Sequence, residues 1–154
     1  MGYDTLAEKN VKPMFDTMME QKLLKENIFA FSFASGNKDS SDLTLGYYDK
    51  SKMKGDIHWN PVEYKYMYGV KMDDIKVNGK STNVCKEKSC LITFDSGTSL
   101  MSMPSYAEKV FNDAGLPTME NPVKCKGASD FNDLTFVIGG KDYTLHSNEW
   151  MMPS

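Results

Sequence analysis

A mostly β fold of short antiparallel strands with two short helices is what this sequence predicts, and three features predict it. Apolar residues alternate with polar ones in run after run, tight-turn signals separate several of the runs, and only two segments carry apolar residues at helical spacing. The alternation is clearest from Ile28 to Phe33 and again from Leu43 to Tyr48, with a polar turn from Ser35 to Asp42 between them. These two runs read as a hairpin with a long loop. Further strand-like runs follow at Gly55 to Trp59, Val62 to Met72, Ile75 to Val77, Asn83 to Cys85 and Cys90 to Phe94, for which an antiparallel meander is the simplest arrangement. Asn78-Gly79 is a strong hairpin signal, because a type I′ turn needs positive φ at both central residues. Two last strands, Leu134 to Ile138 and Tyr143 to Leu145, meet at Gly139-Gly140.

The first helix is expected from Lys12 to Asn27, where Phe15, Met18, Met19, Leu23 and Leu24 recur three and four residues apart and share one face. The second starts after Pro104, where Ser105 with Glu108 three residues later has the form of a capping box. Ala107, Val110, Phe111 and Ala114 supply its apolar face, and Gly115 with Pro117 stops it.

With 154 residues and 40% hydrophobic composition the chain can build one domain around a real core and is too short for two. Its charges are interspersed and sum to −3, which argues against a nucleic-acid partner, since such a partner demands a basic stripe. No stretch approaches the roughly 20 apolar residues that cross a bilayer, so no membrane segment is expected in this piece. Cys85 and Cys90 flank a polar Lys-Glu-Lys-Ser tip, a spacing that fits a short disulfide-closed loop. A metal site fits poorly, because only His58 and His146 could join and neither has ligand spacing to the cysteines. An oxidised pair would place the protein in a secretory, vacuolar or extracellular compartment, with Cys125 left over for a partner outside the piece.

The segment that carries chemistry is Leu91-Ile-Thr-Phe-Asp-Ser-Gly-Thr-Ser-Leu100. An apolar strand runs into a tight turn holding the Asp95 carboxylate, where Gly97 lets the backbone approach and the Ser96 and Thr98 hydroxyls are near enough to donate. Taken alone, such a turn also reads as polar residues satisfying their own backbone.

The surrounding order of motifs resembles the carboxyl lobe of the pepsin-like aspartic proteases over almost the whole chain. Gly2-Tyr3 and Pro13-Met-Phe-Asp16 resemble the crossing from the amino lobe, and Leu45-Gly46-Tyr-Tyr-Asp49 looks like the family's Phe-Gly-Gly-x-Asp. Gly55-Asp-Ile-His-Trp59, Pro61-Val62, Asp73-Asp-Ile75 and Asn78-Gly79 follow in the family's order, then the Cys85 and Cys90 loop, Asp95, Thr98-Ser-Leu100 and Pro104. The style of the Met-Glu-Gln-Lys-Leu-Leu segment resembles plasmepsins.

This resemblance implies a partial β-barrel of orthogonal sheets and an aspartic endopeptidase in which Asp95 is one of two catalytic aspartates, sharing a proton and activating a water. It gives Thr98 the hydroxyl bound to the outer carboxylate oxygen, Gly97 the N–H near the inner one, and Ser96 the place of a threonine that knits two lobes beneath the dyad. Met67 and Thr93 map to the walls of the substrate cleft, although alternating aromatics around Met67 also read as cross-strand packing. Peptide and protein substrates and statine-type inhibitors are the expected ligands, with no cofactor and no metal. The chain, 1–154, is then expected to be an incomplete carboxyl-terminal lobe, inactive alone, lacking the amino lobe and a final segment with a cysteine for Cys125. A catalytically dead pepsin-like binding protein and a retroviral-type homodimeric protease are the rival readings. A haloacid-dehalogenase-type phosphatase is disfavoured because Gly97 stands where the second carboxylate would be.

Overall fold

A computed structural model describes residues 2–34, 40–86, 88–118 and 122–151, without the side chains at 109, 110 and 113. Residues 35–39 of the expected polar turn, Glu87 at the cysteine loop's tip and the side chain of Val110 lie outside that description. The chain forms two compact units, Met1–Trp59 and Asn60–Ser154.

In the first unit, α1 spans Met14–Glu20, far shorter than the 12–27 helix that apolar spacing suggests. Pro13 starts it, with a φ of −54° already suited to the first turn. Lys22 ends it by turning left-handed at φ 55°; its N–H reaches the Met19 carbonyl, and that of Leu23 reaches Met18. Leu23 is therefore carried off the helical face and lies 63% exposed. Phe15 is buried and meets Phe29 edge to face, ring centroids 5.4 Å apart.

The hairpin expected next is present as β1 (Phe29–Ser32) paired antiparallel with β2 (Asp42–Leu45), Phe29 opposite Leu45 and Ser32 opposite Asp42. Gly46 follows at φ +81°, where a Cβ would lie 3.1 Å from Leu24 Cβ and 3.2 Å from the Lys25 nitrogen. Only glycine fits that turn, which accounts physically for the Leu45-Gly46 pair. The strand expected from Gly55 to Trp59 is absent: Gly55 is left-handed at φ 80°, and the segment joins no sheet.

The second unit holds two antiparallel sheets, in keeping with a pepsin-like lobe. The three-stranded one runs β3 (Val62–Tyr64), β4 (Gly69–Met72), β7 (Cys90–Ile92). The single run expected from Val62 to Met72 is thus a hairpin. Its alternation is interrupted where Tyr68 turns left-handed at φ 52° and reverses the chain. The four-stranded sheet is ordered β6 (Lys80–Ser81), β5 (Asp74–Val77), β8 (Leu134–Ile138), β9 (Lys141–Leu145). Both of its short turns have positive φ at two residues, Asn78 and Gly79 at 48° and 75°, Gly139 and Gly140 at 57° and 74°. Asn83, left-handed at φ 56°, replaces the strand expected from Asn83 to Cys85 with a turn.

α2 spans Ser105–Asp113. Ser105 lies inside it, and the Pro104 carbonyl accepts from the Ala107 and Glu108 amides at 2.9 and 3.1 Å, so Ser105 begins the helix where a cap was expected. Gly115 closes it at φ 71°, and the Leu116 amide returns to the Phe111 carbonyl. Phe111 and Leu116 join Met72, Ile75, Val77, Cys90, Leu134 and Ile138 in one buried cluster, with Leu134 fully enclosed. A third helix, α3 (Ser147–Trp150), has no counterpart in the sequence-based expectation.

Candidate active site

β7 is buried at Cys90 and pairs with β4 through Met72 to Cys90, Lys71 to Leu91 and Val70 to Ile92. It thereby delivers residues 93–98 from a fixed strand onto an exposed loop. Within that loop the two oxygens of Asp95 are held separately. Oδ1 accepts from the Gly97 N–H at 2.8 Å and Oδ2 accepts from the Thr98 hydroxyl at 2.6 Å. The Thr98 amide also donates to the Asp95 carbonyl at 3.4 Å. A Cβ on Gly97 would stand 3.2 Å from Oδ1, so a larger residue would crowd the oxygen that this amide holds. Both donors favour the charged carboxylate, and they lower the Asp95 pKa, the Thr98 hydroxyl most and the Gly97 amide next.

Ser96 is exposed and stands outside the two bonds that hold the carboxylate. Met67 and Thr93, 26 residues apart in sequence, are brought together: the Thr93 hydroxyl donates to the Met67 carbonyl. Beside them the Tyr64 and Tyr66 rings lie 5.9 Å apart, so the aromatic alternation is at least partly packing of the turn itself.

Cys85 and Cys90 form a disulfide with Cα atoms 5.3 Å apart. It closes a turn onto the first residue of β7, where a hairpin tip was expected. Cys125 is a free, exposed thiol. Among the described residues no group of three or more His, Cys, Asp or Glu is placed to hold a metal ion, and no helix is long and apolar enough to cross a membrane.

The signature of a carboxylate held on an exposed strand-end loop agrees with a family model, eukaryotic aspartyl protease, that matches residues 1–154. The chain belongs to that family. Relatives among the aspartyl proteases include cathepsin E of Oryctolagus cuniculus, 35% identical over 160 residues covering 99% of this chain and 39% of the relative. Pepsin F of the same species is 30% identical over 158 residues, 100% of this chain and 40% of the relative. A pregnancy-associated glycoprotein of Equus caballus is 29% identical over 155 residues, 98% and 39% respectively. The chain spans about two fifths of the length of these curated relatives.

One feature of this aspartyl protease chain escaped the sequence. His146, readable only as a plain surface or strand residue, has Nδ1 2.9 Å from Asp133 Oδ2, while its amide donates to Glu149 at 2.7 Å. Glu149 three residues after His146 is half of a capping box, but histidine is not a usual cap, so the signal was faint.

Proposed function

We propose that the whole protein is an aspartic endopeptidase in which Asp95 is one of two carboxylates that share a proton across a water. The observation that carries this reading is the grip on Asp95, one donor per oxygen on an exposed loop, within a family of aspartyl proteases. Two carboxylates close together do not both ionise readily, so one serves as base toward the water and the other as acid toward the peptide carbonyl. Gly97 and Thr98 fix the Asp95 oxygens for that exchange, Ser96 supports the pairing of two lobes, and Met67 and Thr93 contribute to the cleft wall. Asp95-Ser-Gly is the only Asp-Ser/Thr-Gly in these 154 residues. We therefore assign the second aspartate to an amino lobe outside them, and the 154 residues alone are inactive.

Peptides and proteins are the substrates in this reading, and statine-type transition-state mimics inhibit. The Cys85–Cys90 disulfide favours an oxidising compartment of the secretory pathway, vacuole-like or extracellular. A plasmepsin-like subtype rests on the Met19-Glu-Gln-Lys-Leu-Leu24 segment alone. In the full-length protein, Asp95→Asn is expected to abolish acid cleavage of denatured globin while leaving thermal unfolding unchanged. A folded variant that kept its turnover would contradict the role of Asp95, whereas a wild-type protein without turnover would favour the catalytically dead binding protein.

A further inference from the structure

The four residues of α3 are too few for a helix to hold itself together in water, so α3 stands by what ties it down. Those polar ties lead to Asn132 and Asp133, the two residues that enter β8. At the start of α3 the His146 Nδ1 lies 2.9 Å from Asp133 Oδ2, and the Ser147 amide donates to Asp133 Oδ1 at 3.2 Å. At its end the Trp150 indole N–H donates to the Asn132 carbonyl at 3.2 Å, while the ring meets Phe131 edge-on and packs on the rim of the buried cluster. Asp133 is itself fixed from behind: its carbonyl accepts from the Asn78 amide at 2.9 Å, and the next residue is the fully enclosed Leu134.

The imidazole has carboxylates on two sides. Asp133 faces it from the approach to β8, and Glu149 acts on it from α3, where it also accepts from the His146 amide at 2.7 Å. α3 packs against the turn Ala128–Asp130 and against β9, whose charged groups have partners of their own. Asp130 accepts from the Lys126 amide, Asp142 pairs with Lys76, and Lys141 lies over the Tyr143 ring. We propose that α3 is an acid-closed latch: with His146 charged it clamps Trp150 over the rim of the core, and with His146 neutral it opens and lets Trp150 off that rim. Asp133, first by its hydrogen bond and then by its charge, raises the His146 pKa, and Glu149 adds to this. The latch is therefore fully set below the unfolded value of about 6.5 and is lost as pH rises through the folded one. A neutral ring can keep its Nδ1 proton on Asp133, so what titrates away is the attraction between charges. Both side chains are exposed, at 66% and 40%, so that attraction is modest and sensitive to salt. The latch holds whether or not Asp95 is catalytic, and it makes this end of the four-stranded sheet firmer in an acid compartment than at neutral pH.

The test uses the full-length protein and two variants. His146→Gln carries no charge at any pH, and Asp133→Asn removes the facing charge while keeping an oxygen for the Ser147 amide. The readout is hydrogen exchange at the Trp150 indole N–H and at the Met151 amide, which donates to the Ser147 carbonyl at 3.0 Å across α3, each corrected for the intrinsic pH dependence of exchange. In wild type both should quicken by about two- to fivefold as pH rises above about 6.5, the scale of an exposed ion pair, and added salt should shrink the difference. In His146→Gln the corrected rates should be flat and as fast as those of the open wild type, and Asp133→Asn should lose most of the rise. Corrected wild-type rates that do not change with pH would overturn the proposal, as would a rise of equal size in His146→Gln. Asp95→Asn should exchange as wild type does whatever its turnover, so the latch and the endopeptidase reading fail separately.

Discussion

Asp95 draws its low pKa from the Thr98 hydroxyl first and the Gly97 amide second, so the two donors can be told apart by removing one. In the 154-residue chain, Thr98→Val should raise the Asp95 pKa toward the ordinary value of about 3.9, read by carboxyl-carbon NMR titration. The sign for stability follows. A carboxylate whose folded pKa is depressed contributes above its unfolded pKa and loses that contribution as pH falls through the folded value. Unfolding measured from pH 5 downward should therefore show a shallower acid dependence in Thr98→Val, and an unchanged slope would contradict the role of that hydroxyl. At this scale the sequence was informative wherever a side chain acts on its near neighbours, as Gly97 and Thr98 act on Asp95. It was silent where a residue works against type. Lys22 closes a helix in a conformation that favours glycine, and Thr93 reaches a carbonyl 26 residues away.

Among the elements, β8 is central in its sheet and buries Leu134 completely between β5 and the helix-capping Leu116 cluster. Leu134→Ala should destabilise the folded protein by about 3 kcal/mol in denaturant unfolding, the usual cost of a core cavity. Reduction of Cys85–Cys90 should cost about 2 kcal/mol, since the loop it closes is short. α3 should depend on pH. Hydrogen bonding to Asp133, then its charge and that of Glu149, raise the His146 pKa, so the charged imidazole holds α3 best below its unfolded value near 6.5 and loosens as pH rises through the folded one. Trp150, which stacks edge-on with Phe131 at 5.8 Å and donates to the Asn132 carbonyl, reports this by fluorescence. Its signal should change as pH rises above the ordinary value of about 6.5 in wild type and stay flat in His146→Gln; equal curves would rule the pairing out. Strand pairs were legible where glycine and asparagine mark the turn, at Asn78-Gly79 and Gly139-Gly140. They were missed at Tyr68, because alternation continued straight through a turn built by a tyrosine. The first helix was overextended for the same reason, apolar spacing persisting past Lys22 after the backbone had left the helix.

For the whole molecule, the order of motifs along 154 residues placed the chain in its family, whereas no local pattern could supply a second carboxylate. Phe94, Leu100 and Met101 flank the Asp95 loop and are 73%, 53% and 45% exposed, which fits the proposal that a further lobe covers this side of the loop. The dyad should then give the full-length enzyme a bell-shaped rate profile on the acid side of neutrality, because two coupled carboxyls titrate as a unit. The central claim is that Asp95 performs half of that work. Its most direct test is the turnover of denatured globin by full-length Asp95→Asn at the pH optimum, with unfolding temperature measured on the same sample. The account predicts turnover reduced to background at an unchanged unfolding temperature, the Asn oxygen still accepting from the Gly97 amide while its NH2 group donates to the Thr98 hydroxyl oxygen; wild-type turnover in a correctly folded variant would contradict it.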